Sequence, residues 1–180
     1  MSTRLINVQR IVAPPPRRLT AVGRIDMRLT QLELLRAFGF VPEIAGGALV
    51  VPNQGEDIAL KYLLKVDVPT DLTLRLYTDN TTPGETDTEA AGYTEFGATM
   101  SYVAVALTPS SWVFTPGAPS LAAYPMVTWT FSAGGPVSVY GYFVTRVDGK
   151  LVWAERFASP PFIVSNTGDK IDITLNITAA

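Results

Sequence analysis

From residue 71 onward, hydrophobic and polar positions alternate along the chain. The stretch DLTLRLYT, residues 71–78, directs its three leucines to one face of an extended chain and Thr73, Arg75 and Tyr77 to the other. Similar strand-like runs cover residues 101–108, 111–115, 125–132, 137–147, 151–157, 162–165 and 170–177. Turn residues separate these runs, and no helical pattern lies between them. This order predicts a mainly β protein, an antiparallel β-sandwich with jelly-roll-like topology.

The preceding region, residues 30–69, predicts two short helices. Thr30 and Glu33 have the spacing of a capping box, in which each side chain accepts a hydrogen bond from the backbone of the other residue. Gly39 is suited to end a helix, because glycine readily adopts the left-handed conformation found there. The first helix is therefore expected over 31–38.

The second helix is expected to begin at Asn53, whose side chain is the predicted N-terminal cap. It should run for about three turns and end before Pro69. One face of this helix is apolar and is expected to contact the rest of the protein. The residues predicted for that face are Ile58, Ala59, Tyr62 and Leu63.

The first 29 residues combine arginine with aliphatic side chains. The six arginines are Arg4, Arg10, Arg17, Arg18, Arg24 and Arg28. The Pro14-Pro15-Pro16 run favours an extended polyproline conformation and excludes a helix across it. Two interpretations remain open: edge strands of the domain itself, or an extended arm whose arginines bind a neighbouring subunit. Nucleic-acid binding is disfavoured, because the segment has no aromatic residue for stacking on bases.

These patterns divide the chain into an extended basic and aliphatic N-terminal arm (1–29), a region of short helices and connections (30–69) and a β-sandwich body (70–180). The net charge of −2 conceals the basic character of the arm, which is followed by an acidic body.

The 180-residue chain contains neither cysteine nor histidine. This excludes disulfides, zinc sites with Cys or His ligands, cysteine nucleophiles and Ser-His-Asp triads. No apolar run is long enough to span a membrane, and the N-terminus lacks the pattern of a secretion signal. We therefore expect a soluble protein made in the cytoplasm, with no cofactor and no membrane partner.

The longest predicted loop, residues 79–97, carries five carboxylates: Asp79, Glu85, Asp87, Glu89 and Glu95. Carboxylates could bind Ca²⁺, but their spacing does not match a twelve-residue EF-hand loop. The favoured interpretation is an acidic, solvated loop or a subunit contact. Exposed aromatic residues in this loop and in residues 109–120 could stack on sugars, whereas at least two of the three tryptophans are expected in the core.

The stretch SVYGYFVTRVDGKLVWAERF, residues 138–157, predicts a β-hairpin. Asp148-Gly149 between two apolar runs is typical of a two-residue type I′ turn. That turn would place Arg146 opposite Leu151, Thr145 opposite Val152 and Val144 opposite Trp153.

Charged residues of the same stretch resemble a catalytic constellation at first sight. Glu155 and Arg156 are adjacent in a predicted strand and should point to opposite faces, so one of them faces inward or towards a partner. This geometry excludes a catalytic pair on one face.

Five segments, in this order, resemble a family of small virion structural proteins of tailed bacteriophages. They are VPNQGEDIALKYLL, LTLRLYTDNTTPGETDT, AGYTEFGATMSYVAVALTPSSW, VSVYGYFVTRVDGKLVWAERF and GDKIDITLNITAA. In that family a short helix precedes a strand ending in LYTN, and a VYGYF strand pairs with an LLWAERF strand. The resemblance covers residues 50–180 and rests on segment order, without a catalytic signature.

The resemblance implies a part of a virus particle. We therefore expect a non-enzymatic capsid decoration or cement protein that resides in the virion and contacts the major capsid protein or neighbouring virion subunits. A homo-oligomer, a dimer or a trimer, is expected because sheet edges and an extended arm need partners. Two alternatives stay open: a tail or fibre module that binds host-surface glycan, and a carboxylate-based glycan hydrolase.

Overall fold

The computed structural model describes residues 18–25, 48–89, 93–117, 120–132 and 134–179. For residues 18–25, 48, 49, 178 and 179 only the backbone is described. The predicted helix over 31–38 lies outside the described residues. In chain order the described elements are β1 (Arg18–Ile25), β2 (Ala48–Val50), α1 (Asn53–Leu63), β3 (Leu72–Tyr77), β4 (Val105–Leu107), a 3₁₀ turn (Pro109–Ser111), β5 (Val113–Thr115), β6 (Ser120–Ala123), β7 (Val127–Thr130), β8 (Val137–Val139), β9 (Gly141–Arg146), β10 (Leu151–Arg156), β11 (Phe162–Val164) and β12 (Lys170–Ala179).

Two five-stranded sheets form most of the described structure. Sheet A has the order β1-β12-β6-β5, and β7 also pairs with β12; sheet B has the order β2-β10-β9-β3-β4. Strands β8 and β11 form a small additional ribbon. All described pairs are antiparallel except β1 with β12, which is parallel. The mainly β prediction is confirmed in a sandwich-like arrangement; the sheets are not closed and jelly-roll topology is not confirmed.

One hydrophobic core joins the two sheets. Sheet B contributes Leu74, Tyr142 and Val144, while β12 of sheet A contributes Ile171 and Ile173. These side chains are fully buried because alternate residues of each strand point to the same face of its sheet. The period-two pattern of the sequence therefore corresponds to the side chains that hold the sheets together.

Helix α1 confirms the predicted second helix and corrects its start. Pro52 is the N-cap, and Asn53 is the first helical residue, with no side-chain capping bond. The backbone N–H of Asn53 donates instead to the carbonyl oxygen of Glu85 at 2.8 Å. The predicted asparagine cap is therefore wrong, because Pro52 occupies the N-cap position in the extended conformation typical of that position.

The buried face of α1 also differs from the prediction. Gly55 and Ile58 are its buried residues, and Gln54 Oε1 accepts the backbone N–H of Leu151 at 2.7 Å. Because these contacts hold the first turns of the helix against β10, the later residues are less covered. Two members of the predicted face are exposed, Ala59 and Leu63.

The β9–β10 hairpin is present, but its turn is not the predicted type I′ turn. Arg146 N–H donates to Lys150 O at 2.9 Å and Gly149 N–H donates to Arg146 O at 3.0 Å, which closes a three-residue loop. Gly149 has φ +85°, whereas Asp148 does not have the positive φ that type I′ demands. The Asp148 carboxylate instead lies 3.3 Å from Arg146 Nε and accepts Lys150 N–H at 3.3 Å.

The longer turn changes the register beside it. Leu151 faces Thr145, so the predicted partners Arg146 for Leu151 and Thr145 for Val152 are wrong. A second irregularity between Leu151 and Trp153 restores the register. Trp153 consequently faces Val144, as predicted.

Part of the N-terminal segment forms a strand, β1, in sheet A. Its eight residues pair in parallel with β12, from Arg18 beside Lys170 to Ile25 beside Ile177. The edge-strand interpretation is therefore correct for the backbone of these residues. The other arginines of the segment, Arg4, Arg10, Arg17 and Arg28, lie outside the described residues, and partner binding by the arginines stays a prediction.

Candidate functional site

The first candidate is a carboxyl group enclosed between the sheets. Glu155 of β10 faces Tyr142 of β9, and the Tyr142 hydroxyl donates a hydrogen bond to Glu155 Oε2. Tyr142 is fully buried and Glu155 is 8% exposed. The prediction that one member of the Glu155-Arg156 pair faces inward is therefore confirmed, and the inward residue is the acid.

Burial dominates the ionisation of this pair. Desolvation raises the pKa of Glu155 to about 7, and the hydrogen bond from Tyr142 opposes that rise. The pKa of Tyr142 lies well above its usual value, first because of burial and second because of the nearby Glu155 charge. The nearby indole N–H of Trp153 has the opposite effect and lowers the pKa of Tyr142, although it makes no hydrogen bond of standard geometry. Both groups are therefore buried among core side chains and joined by a hydrogen bond.

The other charges of the hairpin are engaged elsewhere. Arg156 donates to the carbonyl oxygen of Thr81 at 2.7 Å and to Asn80 Oδ1 at 2.6 Å, and its guanidinium lies 5.2 Å from the Tyr140 ring centroid. These contacts fix the start of the acidic loop against the sheet. The side chains of Glu155 and Arg156 therefore lie in separate structural environments.

Arg146 joins the hairpin to the chain that follows α1. Its Nη1 donates to Asp67 Oδ2 at 2.7 Å, and its guanidinium lies 5.5 Å from the Tyr62 ring centroid. The hydrogen bond from Arg146 is the main cause that lowers the pKa of Asp67. Arg146 therefore connects the hairpin to the turn after α1 through Asp67, and it also contacts Asp148 at 3.3 Å.

The acidic loop distributes its carboxylates among separate partners. Asp87 Oδ2 accepts the Gly84 N–H at 2.8 Å and the Tyr93 hydroxyl at 2.7 Å. Glu95 forms an ion pair with Arg75 of β3. Within the described ranges, which omit residues 90–92 of this loop, no group of three or more acidic side chains could hold a metal ion. Asp87 therefore stabilises the loop internally, and Glu95 connects it to Arg75 of β3.

The aromatic residues considered for sugar stacking differ in exposure, and those of the acidic loop, Tyr93 and Phe96, are buried at 5% and 6% exposure. Trp129 and Trp153 are 5% and 4% exposed, which confirms that at least two tryptophans are core residues. Trp112 is half-buried and packs edge-to-face on Tyr124, with 5.1 Å between ring centroids. Phe114, two residues later, is 74% exposed.

The second candidate is a stretch of sequence without charged residues. Between Glu95 and Arg146 the sequence contains no Asp, Glu, Lys or Arg, and we call residues 96–145 the charge-free segment. It includes β4 to β8 and most of β9. Four of its large apolar side chains are nevertheless exposed: Val103, Val113, Phe114 and Met126.

Strand β5 carries two of these exposed side chains. It lies at one end of sheet A and pairs with β6, with Phe114 beside Ala122. Val113 and Phe114 point to opposite faces of the strand, and both are exposed. Alternation in the sequence predicted a strand here but did not predict this exposure.

Comparisons of the chain with protein-family models, with curated proteins and with solved structures find no match. In the part of the chain that the structure describes, no helix has the length and apolar character needed to cross a membrane.

Proposed function

We propose that the protein is a non-enzymatic structural protein of a tailed-bacteriophage virion, specifically a capsid decoration or cement protein. In this proposal it docks on the major capsid protein or on neighbouring virion subunits and stabilises the shell. The observation that carries the proposal is the charge-free segment with its exposed apolar side chains. The resemblance of residues 50–180 to small virion proteins supplies the particle context.

The charge-free segment has the composition of an assembly surface. The centres of protein interfaces are depleted of charged residues and enriched in aromatic residues and methionine. Val103 is 71% exposed and Met126 is 51% exposed, although neither is near a charged residue in sequence. Burying a side chain of this kind contributes about 1.5–3 kcal/mol, so a few such contacts repeated over a shell stabilise it considerably.

The engagement of the carboxylates also supports a non-enzymatic role. A glycan hydrolase needs two carboxylic groups flanking a bound sugar. Glu155 is enclosed with Tyr142, and Glu95 is paired with Arg75. The arrangement of these groups suits stability rather than turnover.

The basic N-terminal segment provides a second proposed contact. Its arginines, Arg4, Arg10, Arg17, Arg18, Arg24 and Arg28, are the residues we assign to partner binding. Their charge is opposite to that of the acidic body, so they favour an acidic surface on a neighbouring subunit.

A particle-binding assay tests this proposal with a matched pair of valines. Particles that lack the protein are mixed with purified wild type, Val103→Asp or Val147→Asp, and the protein that sediments with the particles is measured. Val103 and Val147 are 71% and 75% exposed, but Val147 lies at the hairpin tip outside the charge-free segment. We expect Val103→Asp to weaken binding about tenfold or more, as for a central interface residue, and Val147→Asp to bind like wild type.

Failure of the wild type to sediment with particles would contradict the proposed function. Equal loss of binding in both variants would show that the charge-free segment is not the docking surface.

A further inference from the structure

Strand β5 has an unpaired side. Sheet A ends at β5, so the backbone groups of this strand that point away from β6 have no strand neighbour in the described part of the chain. Free N–H and C=O groups at a sheet edge are a template for adding another strand. The edge therefore calls for a partner or for protection.

The usual protection of an edge strand is missing within β5. Charged side chains, an internal proline or a bulge normally prevent two edges from pairing. Val113, Phe114 and Thr115 include none of these, and the nearest charged residues in the sequence are Glu95 and Arg146. Pro116 follows the strand and limits it to a short pairing segment.

We infer that β5 pairs antiparallel with β5 of a second copy of this chain, about a two-fold axis at Phe114, to join two copies of sheet A. This inference rests on the proposed function for its purpose, assembly. It assigns Val113 and Phe114 to the contact between two copies and leaves the exposed Val103 and Met126 of the same segment for docking on the shell.

The chemistry of β5 fits a second copy. A two-fold axis at Phe114 places this residue opposite its own copy and places Val113 opposite Thr115. Any charged residue in such a strand would face either itself or a symmetry-related side chain, and like charges directly opposite are destabilising. Because β5 is free of charge, self-pairing meets no such repulsion. Aromatic cross-strand pairs stabilise sheets, and Phe114 is 74% exposed before pairing.

Cysteine cross-linking tests this geometry directly. The chain has no cysteine, so Phe114→Cys introduces a single thiol. Residues directly opposite in an antiparallel pair have Cα atoms about 4.5–5.5 Å apart, which is within the range of a disulfide. Val147→Cys is the control, because Val147 is 75% exposed at the hairpin tip, outside the charge-free segment. Wild-type association is measured in parallel by sedimentation equilibrium.

We expect the wild type to form a dimer and Phe114→Cys to cross-link at least about tenfold faster than Val147→Cys, because pairing raises the local thiol concentration. Circular dichroism should show that both variants fold, since each replaced side chain is exposed. Phe114→Lys and Phe114→Asp should each be monomeric, and an equimolar mixture of the two should recover a heterodimer through opposite charges at the axis.

A wild type that stays monomeric, with Phe114→Cys no faster than Val147→Cys, would overturn the inference. So would a monomer that needs Phe114 to bind particles, because β5 would then pair with a shell protein. A monomeric wild type that still binds particles through Val103 would contradict the β5 pairing but leave the proposed function intact. A dimeric wild type that binds no particle would contradict the proposed function but not the β5 pairing.

Discussion

Replacing Glu155 by glutamine should change how stability depends on pH. The pKa of Glu155 is raised from 4.5 to about 7 in the folded protein. Below pH 4.5 the carboxyl is protonated in both the folded and the unfolded chain, so it adds no pH-dependent difference. Between pH 4.5 and about 7 the folded state binds the extra proton, and stability falls as pH rises. Above that range the enclosed charge lowers the unfolding free energy by about 3 kcal/mol.

Glutamine keeps the shape of the side chain and an oxygen that can accept from Tyr142, but it does not ionise. Urea unfolding of wild type and Glu155→Gln at several pH values gives the difference between their unfolding free energies, from which the titration of other groups cancels. This difference should increase by about 3 kcal/mol in favour of Glu155→Gln between about pH 4 and about pH 8.

The same experiment has a clear contrary result. A difference that changes by less than about 1 kcal/mol over this range would show that the Glu155 carboxyl is ionised at little cost in the folded state, and the enclosed position would be wrong.

Three further changes test the fold. Gly141→Ala should lower the unfolding free energy by about 3 kcal/mol, because the added Cβ would lie 2.0 Å from a carbonyl oxygen of β10. The control Gly135→Ala, which has open space around the added Cβ, should change the unfolding free energy by less than about 1 kcal/mol. Equal effects of the two variants in urea unfolding would contradict the packing around Gly141. Gly149→Val should destabilise by about 2 kcal/mol because φ is +85°, and an unchanged urea midpoint would show that the turn does not need this conformation. Deleting residues 1–25 should lower Tm more than deleting 1–17, because it removes β1 from β12; identical values by calorimetry would refute the role of β1.

The strands could be predicted where alternation is local. All eight predicted runs contain strand residues, because a period of two needs only neighbouring side chains to be read. Strands β2 and β6 were missed. They are three and four residues long, and pairing with longer neighbours, β10 and β12, stabilises them. The residues next to β2 and β6 in the sequence do not indicate which distant strands will pair with them.

The β9–β10 hairpin was also predicted only in part. The pairing of Trp153 with Val144 follows from the apolar pattern of the two strands and was predicted. The turn was not, because Asp-Gly also suits a three-residue loop with Gly149 in the left-handed conformation, and the sequence pattern does not choose between the two loop lengths.

The two candidate sites were only partly predictable. Adjacent strand positions required Glu155 and Arg156 to face opposite ways, but the choice of Glu155 as the buried one depends on Tyr142, a cross-strand donor. The apolar stretch that contains β5 resembles a core strand, yet Val113 and Phe114 are exposed. Exposure at a sheet edge depends on strand order, which alternation does not encode.

The copy number of the protein in purified particles is the most direct test of the central claim that it is a shell component. Particles from the source of this sequence are purified on a density gradient, and the protein is quantified against the major capsid protein by mass spectrometry with labelled peptides. Our account predicts a copy number on the order of hundreds per particle, as repeated docking on a symmetric shell requires. Absence of the protein from intact particles would contradict it.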